Sequence, residues 1–137
     1  NGSEELIGLC TRIFVNRGDE VILTRNHFVM CPIYVREQGA VVILADEDDD
    51  VIDVDQILEA ITGRTRMIII ANPNNPTGTY FNNAELQKLI RGIPESILLI
   101  LDGAYAEYVA AADYDDGLGY VSEHQNIVVT HTQLSFF

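Results

Sequence analysis

Met67-Ile68-Ile69-Ile70-Ala71-Asn72-Pro73-Asn74-Asn75-Pro76-Thr77-Gly78 joins an apolar run to a turn dense in asparagine and proline. An unbroken apolar run bounded by turn residues reads as a strand buried on both faces, the condition of strands in parallel sheets. In open α/β sheets, ligands bind at the carboxyl ends of such strands. The next apolar run, Ile97 to Leu101, ends on Asp102-Gly103-Ala104-Tyr105, which sets a carboxylate and a phenol at what should be the same edge.

Upstream of that pair, Leu6, Leu9, Cys10 and Ile13 follow helical spacing, with Ile7 and Phe14 widening the stripe and Ser3 available as N-cap. This predicts a first helix over about residues 4–16, ended by Asn16-Arg17-Gly18-Asp19. Glu20 to Thr24 reads as a short strand, residues 27–38 as a helix or turn, and Val41 to Leu44 as another strand. Asp53 caps a helix carrying Val54, Ile57, Leu58 and Ile61, which Thr62-Gly63 closes before the strand at residues 66–71. Asn83 opens a helix with Leu86, Leu89 and Ile90 inward, Gly92-Ile93-Pro94 stops it, and residues 97–101 and 126–130 supply the last strands. Alternating helices and apolar strands predict an α/β three-layer sandwich with a mostly parallel sheet.

With 137 residues, 47% hydrophobic and 21% charged, the chain is long enough for one core. A formal charge of -13 argues against nucleic acid and anionic lipid as partners. Neither a membrane-length apolar run nor a basic leader is present in the sequence. Cys10 and Cys31 lack metal-ligand spacing and read as reduced core thiols, which suits a cytoplasm. Asp46-Glu47-Asp48-Asp49-Asp50 reads as a solvated acidic loop, since a calcium loop needs alternating ligands and a glycine turn.

The loops carry the candidate chemistry. Gly2-Ser3-Glu4 begins a helix, and free amides at a helix start suit a phosphate; an ordinary capped terminus reads the same way. Asn75 offers an amide, with Pro73, Pro76 and Gly78 shaping the backbone around it, and a proline-rich surface turn is the alternative. Asp102, after five apolar residues, requires a cationic or protonated partner if it is buried, or serves as a helix cap.

Asn75-Pro76-Thr77-Gly78 followed by Asp102 and Tyr105 resembles the large domain of fold type I pyridoxal-phosphate enzymes, the class I/II aminotransferases. Asp102-Gly103-Ala104-Tyr105-Ala106-Glu107-Tyr108 and the opening Asn1-Gly2-Ser3-Glu4-Glu5 are most similar to histidinol-phosphate aminotransferases, and the resemblance runs from residue 1 to about 130. It implies that Gly2, Ser3 and Glu4 hold the phosphate of pyridoxal 5'-phosphate. Phe28 then stacks on the ring, Asn75 and Tyr105 bond its phenolic oxygen, and Asp102 pairs with its ring nitrogen. For Phe28 a core aromatic is an equal reading, and His27 reads as a packing or solvent-facing side chain. The resemblance also implies a homodimer and an amino-acid or amino-alcohol phosphate substrate. Aromatic-amino-acid aminotransferases and threonine-phosphate decarboxylases share the superfamily.

Relatives continue as Thr-x-Thr, an aromatic, a serine and the Schiff-base lysine, whereas this chain reads Thr130-His131-Thr132-Gln133-Leu134-Ser135-Phe136-Phe137. Its one lysine, Lys88, falls on the helix after Asn83, beside Leu86 and Leu89, where a solvated side chain is expected. The expectation is therefore an incomplete large domain, lacking the N-terminal arm, the lysine segment and the small domain. Such a piece is inactive as a transaminase by itself and exposes apolar surface that favours self-association. The rival reading is a non-catalytic α/β binding or interaction domain. A dinucleotide fold lacks its glycine fingerprint here.

Overall fold

The computed structural model describes residues 2–132. Along the chain run α1 (Ser3–Phe14), β1 (Glu20–Thr24), α2 (Cys31–Glu37), β2 (Val41–Ala45), β3 (Glu47–Asp48), β4 (Val51–Ile52), α3 (Val54–Glu59), β5 (Thr65–Ala71), α4 (Asn83–Gly92), β6 (Leu98–Asp102), a 3-10 turn at Ala106–Tyr108, α5 (Leu118–Val121) and β7 (Ile127–Thr130). Five strands form one sheet in the order β2-β1-β5-β6-β7, and every neighbouring pair is parallel. The α/β three-layer architecture expected from the sequence is the one observed.

Side chains alternate across a strand, so each central strand feeds two cores. Ile22, Ile68, Ile70, Leu99 and Leu101 pack with Val54 and Ile57 of α3 and Leu86 and Leu89 of α4. Val21, Leu23, Met67, Ile69 and Ile100 pack with Ile7 of α1 and Cys31 and Val35 of α2. Helices therefore cover both faces, as unbroken apolar strands demand. At the sheet edge, Val41 and Leu44 of β2 remain half exposed.

Several local expectations need correction. In α1 the buried line is Ser3, Ile7, Gly8 and Thr11, whereas Leu6, Leu9, Ile13 and Phe14 point outward. The helix packs through Ile7 flanked by the small Ser3, Gly8 and Thr11, which lets it lie close to the sheet and α2 and leaves its larger apolar stripe outside. Ser3 is not the N-cap: Gly2, at φ +92°, holds that place, and Ser3 is the first helical residue. Of residues 27–38, read as a helix or turn, the helix begins only at Cys31, with Pro32 in its first turn, where proline is best tolerated. One residue before the expected start of α4, Asn82 caps it by accepting from the Glu85 amide at 3.0 Å.

The acidic run is not a simple solvated loop. It forms the antiparallel ribbon β3–β4, turned by Asp49 and Asp50 at φ +47° and +62°, the mirror-image geometry a tight hairpin requires. Glu47 accepts from the Asn26 amide and side chain at 2.9 and 2.6 Å, Arg25 pairs with Asp46, and Thr79 donates to the Asp50 carbonyl at 2.6 Å. The ribbon thus straps the end of β1 to the loop after β5. Lys88 is also less free than expected, with Nζ 2.7 Å from Asp55 and 3.8 Å from Glu85. Cys10 and Cys31 are free thiols, the second buried. Among the described residues no helix is long and apolar enough to cross a membrane.

Asn72 anchors the loop that follows β5. Its amide donates to the Asp102 carbonyl at 3.0 Å, and its side chain brackets Phe81, donating to the carbonyl at 3.2 Å and accepting from the N–H at 3.1 Å. Tyr114 donates to the Asn72 carbonyl at 2.7 Å. Asn74 is buried too, but its side-chain amide has no partner among the described residues. Asn72→Ala strands two buried backbone groups and should cost about 2–4 kcal/mol in urea unfolding, whereas Asn74→Ala should change stability by under about 1 kcal/mol.

Gly117 sits at φ +84° with an added Cβ only 2.7 Å from Leu101 Cδ1, so Gly117→Ala should lower stability by about 1–3 kcal/mol. Burial first, then Asp102, pushes the Cys31 thiol from 9.0 up to about 12. Burial, then Asp116 and Asp115, pushes the Tyr114 phenol from 10.0 up to about 12. Both folded values lie above the unfolded ones, so this stabilisation is complete below pH 9 for the thiol and pH 10 for the phenol and is lost as pH climbs to about 12. Urea midpoints should fall across that window, and less steeply in Cys31→Ala.

Candidate functional site

From β1 the chain steps to β2 on one side, then returns to place β5 on the other side of β1. The strand order reverses between β1 and β5, and the crevice at such a switch point is where α/β sheets hold ligands. Register fixes what meets there: Ala71 pairs with Asp102 and Asp102 with Thr130, so three strands end level with one another.

A cleft of about 240 Å³ opens at this edge. The start of α1 contributes Ser3 and Glu4, the β1–α2 connection Phe28, the loop after β5 Asn75, and the turn after β6 Tyr105, with Asp102 on β6 itself. Six of the seven residues singled out in the sequence therefore line one cavity. Gly2 is not among them; it is the residue before Ser3, and a Cβ there would lie 3.4 Å from Thr132 Cγ2. Thr132, which also lines the cleft, donates to the Ser3 hydroxyl at 3.1 Å and accepts from the Ser3 amide at 3.4 Å.

Asp102 is half-buried rather than sealed in the core. Its Oδ1 accepts from the Ala104 amide at 3.2 Å and the Thr130 hydroxyl at 3.0 Å, and Oδ2 has no hydrogen-bond partner among the described residues. Among the described residues Asp102 meets these two neutral donors and no cationic side chain. Nor is Asp102 a helix cap, since the bond to Ala104 closes a local Asx-type turn. Gly103 within it is closely packed, a Cβ falling 3.2 Å from the His131 ring and 3.3 Å from the Thr130 carbonyl, so a side chain there would require these neighbours to give by a few tenths of an ångström.

Phe28 both lines the cleft and leans on the core beneath, so its two readings coexist. Tyr105 stands 44% exposed, its ring centroid 6.3 Å from that of Tyr108. His27 is a packing histidine, its Nδ1 2.8 Å from the Thr24 carbonyl. Lys88 lies on α4, bound to α3, and does not line the cleft. The expectation about Gln133 to Phe137 and the missing lysine lies outside the described residues.

Sequence reasoning did not assign roles to Thr130 and Thr132. Their signal was legible, because two hydroxyls alternating at the end of a strand beside Asp102 must reach the same edge. Among the described residues, the cleft is lined by two carboxylates, Glu4 and Asp102, and by no lysine or arginine.

The model of the family described as aminotransferase class I and II matches residues 1–133. A histidinol-phosphate aminotransferase of Nitrobacter winogradskyi is 44% identical over 131 residues, covering 96% of this chain and 36% of its own length. The chain thus spans little more than a third of the curated relatives it matches. A tetra mutant of the aspartate aminotransferase of Thermus thermophilus superposes with a TM-score of 0.82 at 29% identity, over 96% of this chain and 36% of that one. The histidinol-phosphate aminotransferase of Sinorhizobium meliloti, solved in complex with pyridoxal-5'-phosphate, gives a TM-score of 0.86 at 24% identity over the same shares, a likeness of fold. A family match across nearly the whole chain, on a sheet whose switch point gathers these side chains, establishes that the chain belongs to the aminotransferase class I and II family.

Proposed function

We propose that the chain is the cofactor-binding part of a pyridoxal-phosphate-dependent transaminase, one that moves an amino group between histidinol phosphate and 2-oxoglutarate in histidine biosynthesis. The observation that carries this reading is the convergence of a helix start and two hydroxyls with a carboxylate, an amide, a phenol and an aromatic ring in one cleft. The 44% identity to the histidinol-phosphate aminotransferase of Nitrobacter winogradskyi supports the substrate. When bound, pyridoxal phosphate supplies a protonated pyridine ring that takes up the electron pair left on the substrate's α-carbon.

Each of this chain's residues has a task suited to its chemistry. The amides opening α1 and the Ser3 and Thr132 hydroxyls bind the phosphate, and Gly2, at φ +92°, turns the chain into that helix. Asp102 Oδ2 would accept a hydrogen bond from the protonated ring nitrogen, while Thr130 and the Ala104 amide, both on Oδ1, fix the carboxylate's direction. A carboxylate so held keeps that nitrogen protonated. Asn75 and Tyr105 donate to the phenolic oxygen, and Phe28 covers the ring and excludes water. Proton movement at the substrate carbon needs a free amine, and Lys88, held by Asp55, is not placed to provide it. We therefore infer that this chain alone binds the cofactor without turnover.

The outward stripe of Leu6, Leu9, Ile13 and Phe14 on α1 supports a homodimer built across that helix. We place the protein in the cytoplasm, in keeping with its two free thiols. Leu9→Glu with Ile13→Glu should convert a dimer to monomer in sedimentation.

Absorbance titration with pyridoxal 5'-phosphate tests the cofactor reading. Asp102→Ala removes a charge-assisted bond and should weaken binding about 10- to 100-fold, and Asn75→Ala by about 3- to 10-fold. Absence of ring-specific binding, or indifference to both substitutions, sinks the reading in favour of a non-catalytic α/β domain.

A further inference from the structure

Glu4 is a curious neighbour for an anion. It is the second residue of α1 and lines the cleft, in a chain of net charge -13, where among the described residues no lysine or arginine reaches the cavity. A carboxylate in the first turn of a helix is drawn to the same unpaired amides and the same positive dipole end that attract a phosphate. Left to itself, Glu4 therefore competes with the ligand, and once a phosphate is bound it repels it.

The structure shows what restrains it. Tyr34, on α2, donates its hydroxyl to Glu4 Oε1 at 2.8 Å. The reach depends on Gly8, one turn further along α1: a Cβ there would stand 3.3 Å from the Tyr34 ring, so the missing side chain lets the ring lie against the helix. Glycine inside a helix costs about 0.5–1 kcal/mol relative to alanine, and the close approach of Tyr34 is what that cost secures. Arg12 and Glu37, 3.9 Å apart, bridge the same two helices alongside.

We propose that Tyr34 is a positioning residue that draws the Glu4 carboxylate off the anion-binding start of α1, keeping those amides available to the phosphate of the ligand. The inference rests on the cofactor reading above, and deepens it by giving this chain's own answer to a cleft lined by two acids. It assigns Tyr34 no contact with the ligand; it acts through Glu4.

Four versions of the full chain test it: wild type, Tyr34→Phe, Glu4→Gln and the double substitution, each titrated with pyridoxal 5'-phosphate, unphosphorylated pyridoxal and inorganic phosphate. Tyr34→Phe keeps the ring on Gly8 and loses only the hydroxyl. It should weaken pyridoxal 5'-phosphate and inorganic phosphate about two- to fivefold, the range of a single charge acting at a helix start, and leave pyridoxal unchanged. In the Glu4→Gln background the same change should have no effect, since no charge remains to restrain. A second readout needs no ligand: the Glu4 bond, foremost, raises the Tyr34 phenol above 10.0, so Glu4→Gln should lower its ultraviolet titration midpoint. If wild type binds pyridoxal 5'-phosphate and Tyr34→Phe binds it equally well, or loses pyridoxal to the same degree, or loses as much without Glu4, the positioning role is overturned while the cofactor reading stands. If wild type shows no binding of pyridoxal 5'-phosphate, both are overturned.

Discussion

Parallel register is the constraint on which everything at the cleft depends. Ala71, Asp102 and Thr130 are level because β5, β6 and β7 run the same way and pair without a slip. Side chains alternate along a strand, so a shift of one residue in β6 would turn Asp102 to the opposite face and carry its apolar neighbours with it. The two cores resist that shift: Leu99 and Leu101 are committed to one side and Ile100 to the other. The geometry of the carboxylate is thus held by hydrocarbon packing several residues away.

Polar groups then secure what the register has brought together. Asn72 ties the end of β5 to β6 and brackets Phe81 with its side chain, so the Asn-Pro-rich loop leaves the sheet in a fixed direction. From the other side, the acidic ribbon holds Asn26 and Thr79, linking the loops that present Phe28 and Asn75. The chain spends its acidic residues there as local hydrogen-bond acceptors, which is why a run that looks purely solvated takes a defined shape.

Much of this was legible in the sequence, for a physical reason in each case. Ile68-Ile69-Ile70 and Leu98 to Leu101 are apolar at every position, which only a strand covered on both sides tolerates, so the sheet and its ligand edge could be read directly. Asn75, Asp102 and Tyr105 were legible because polar turns directly follow those strands, and Ser3 and Glu4 because they open a helix, whereas Phe28 was singled out only through the family resemblance. The facing of α1 was not: Leu6, Leu9 and Ile13 make a better apolar stripe than Ser3, Ile7 and Thr11, and only the closeness allowed by Gly8 reverses the choice. Asp49 and Asp50 were equally opaque, since aspartate tolerates positive φ without announcing it. The bond from Tyr34 to Glu4 spans 30 positions, a pairing that no local pattern carries.

The hydrogen bond between Ser3 and Thr132 joins residues 129 positions apart. Such a contact forms only after the intervening chain has been ordered, because the entropy of closing so long a loop is recovered through the strands in between. The Ser3–Thr132 corner of the cleft is accordingly expected among the last parts of the molecule to form during folding. A ligand that bridges its two halves ties together the remotest described segments of the chain, and its binding energy is shared with the whole sheet rather than with one loop.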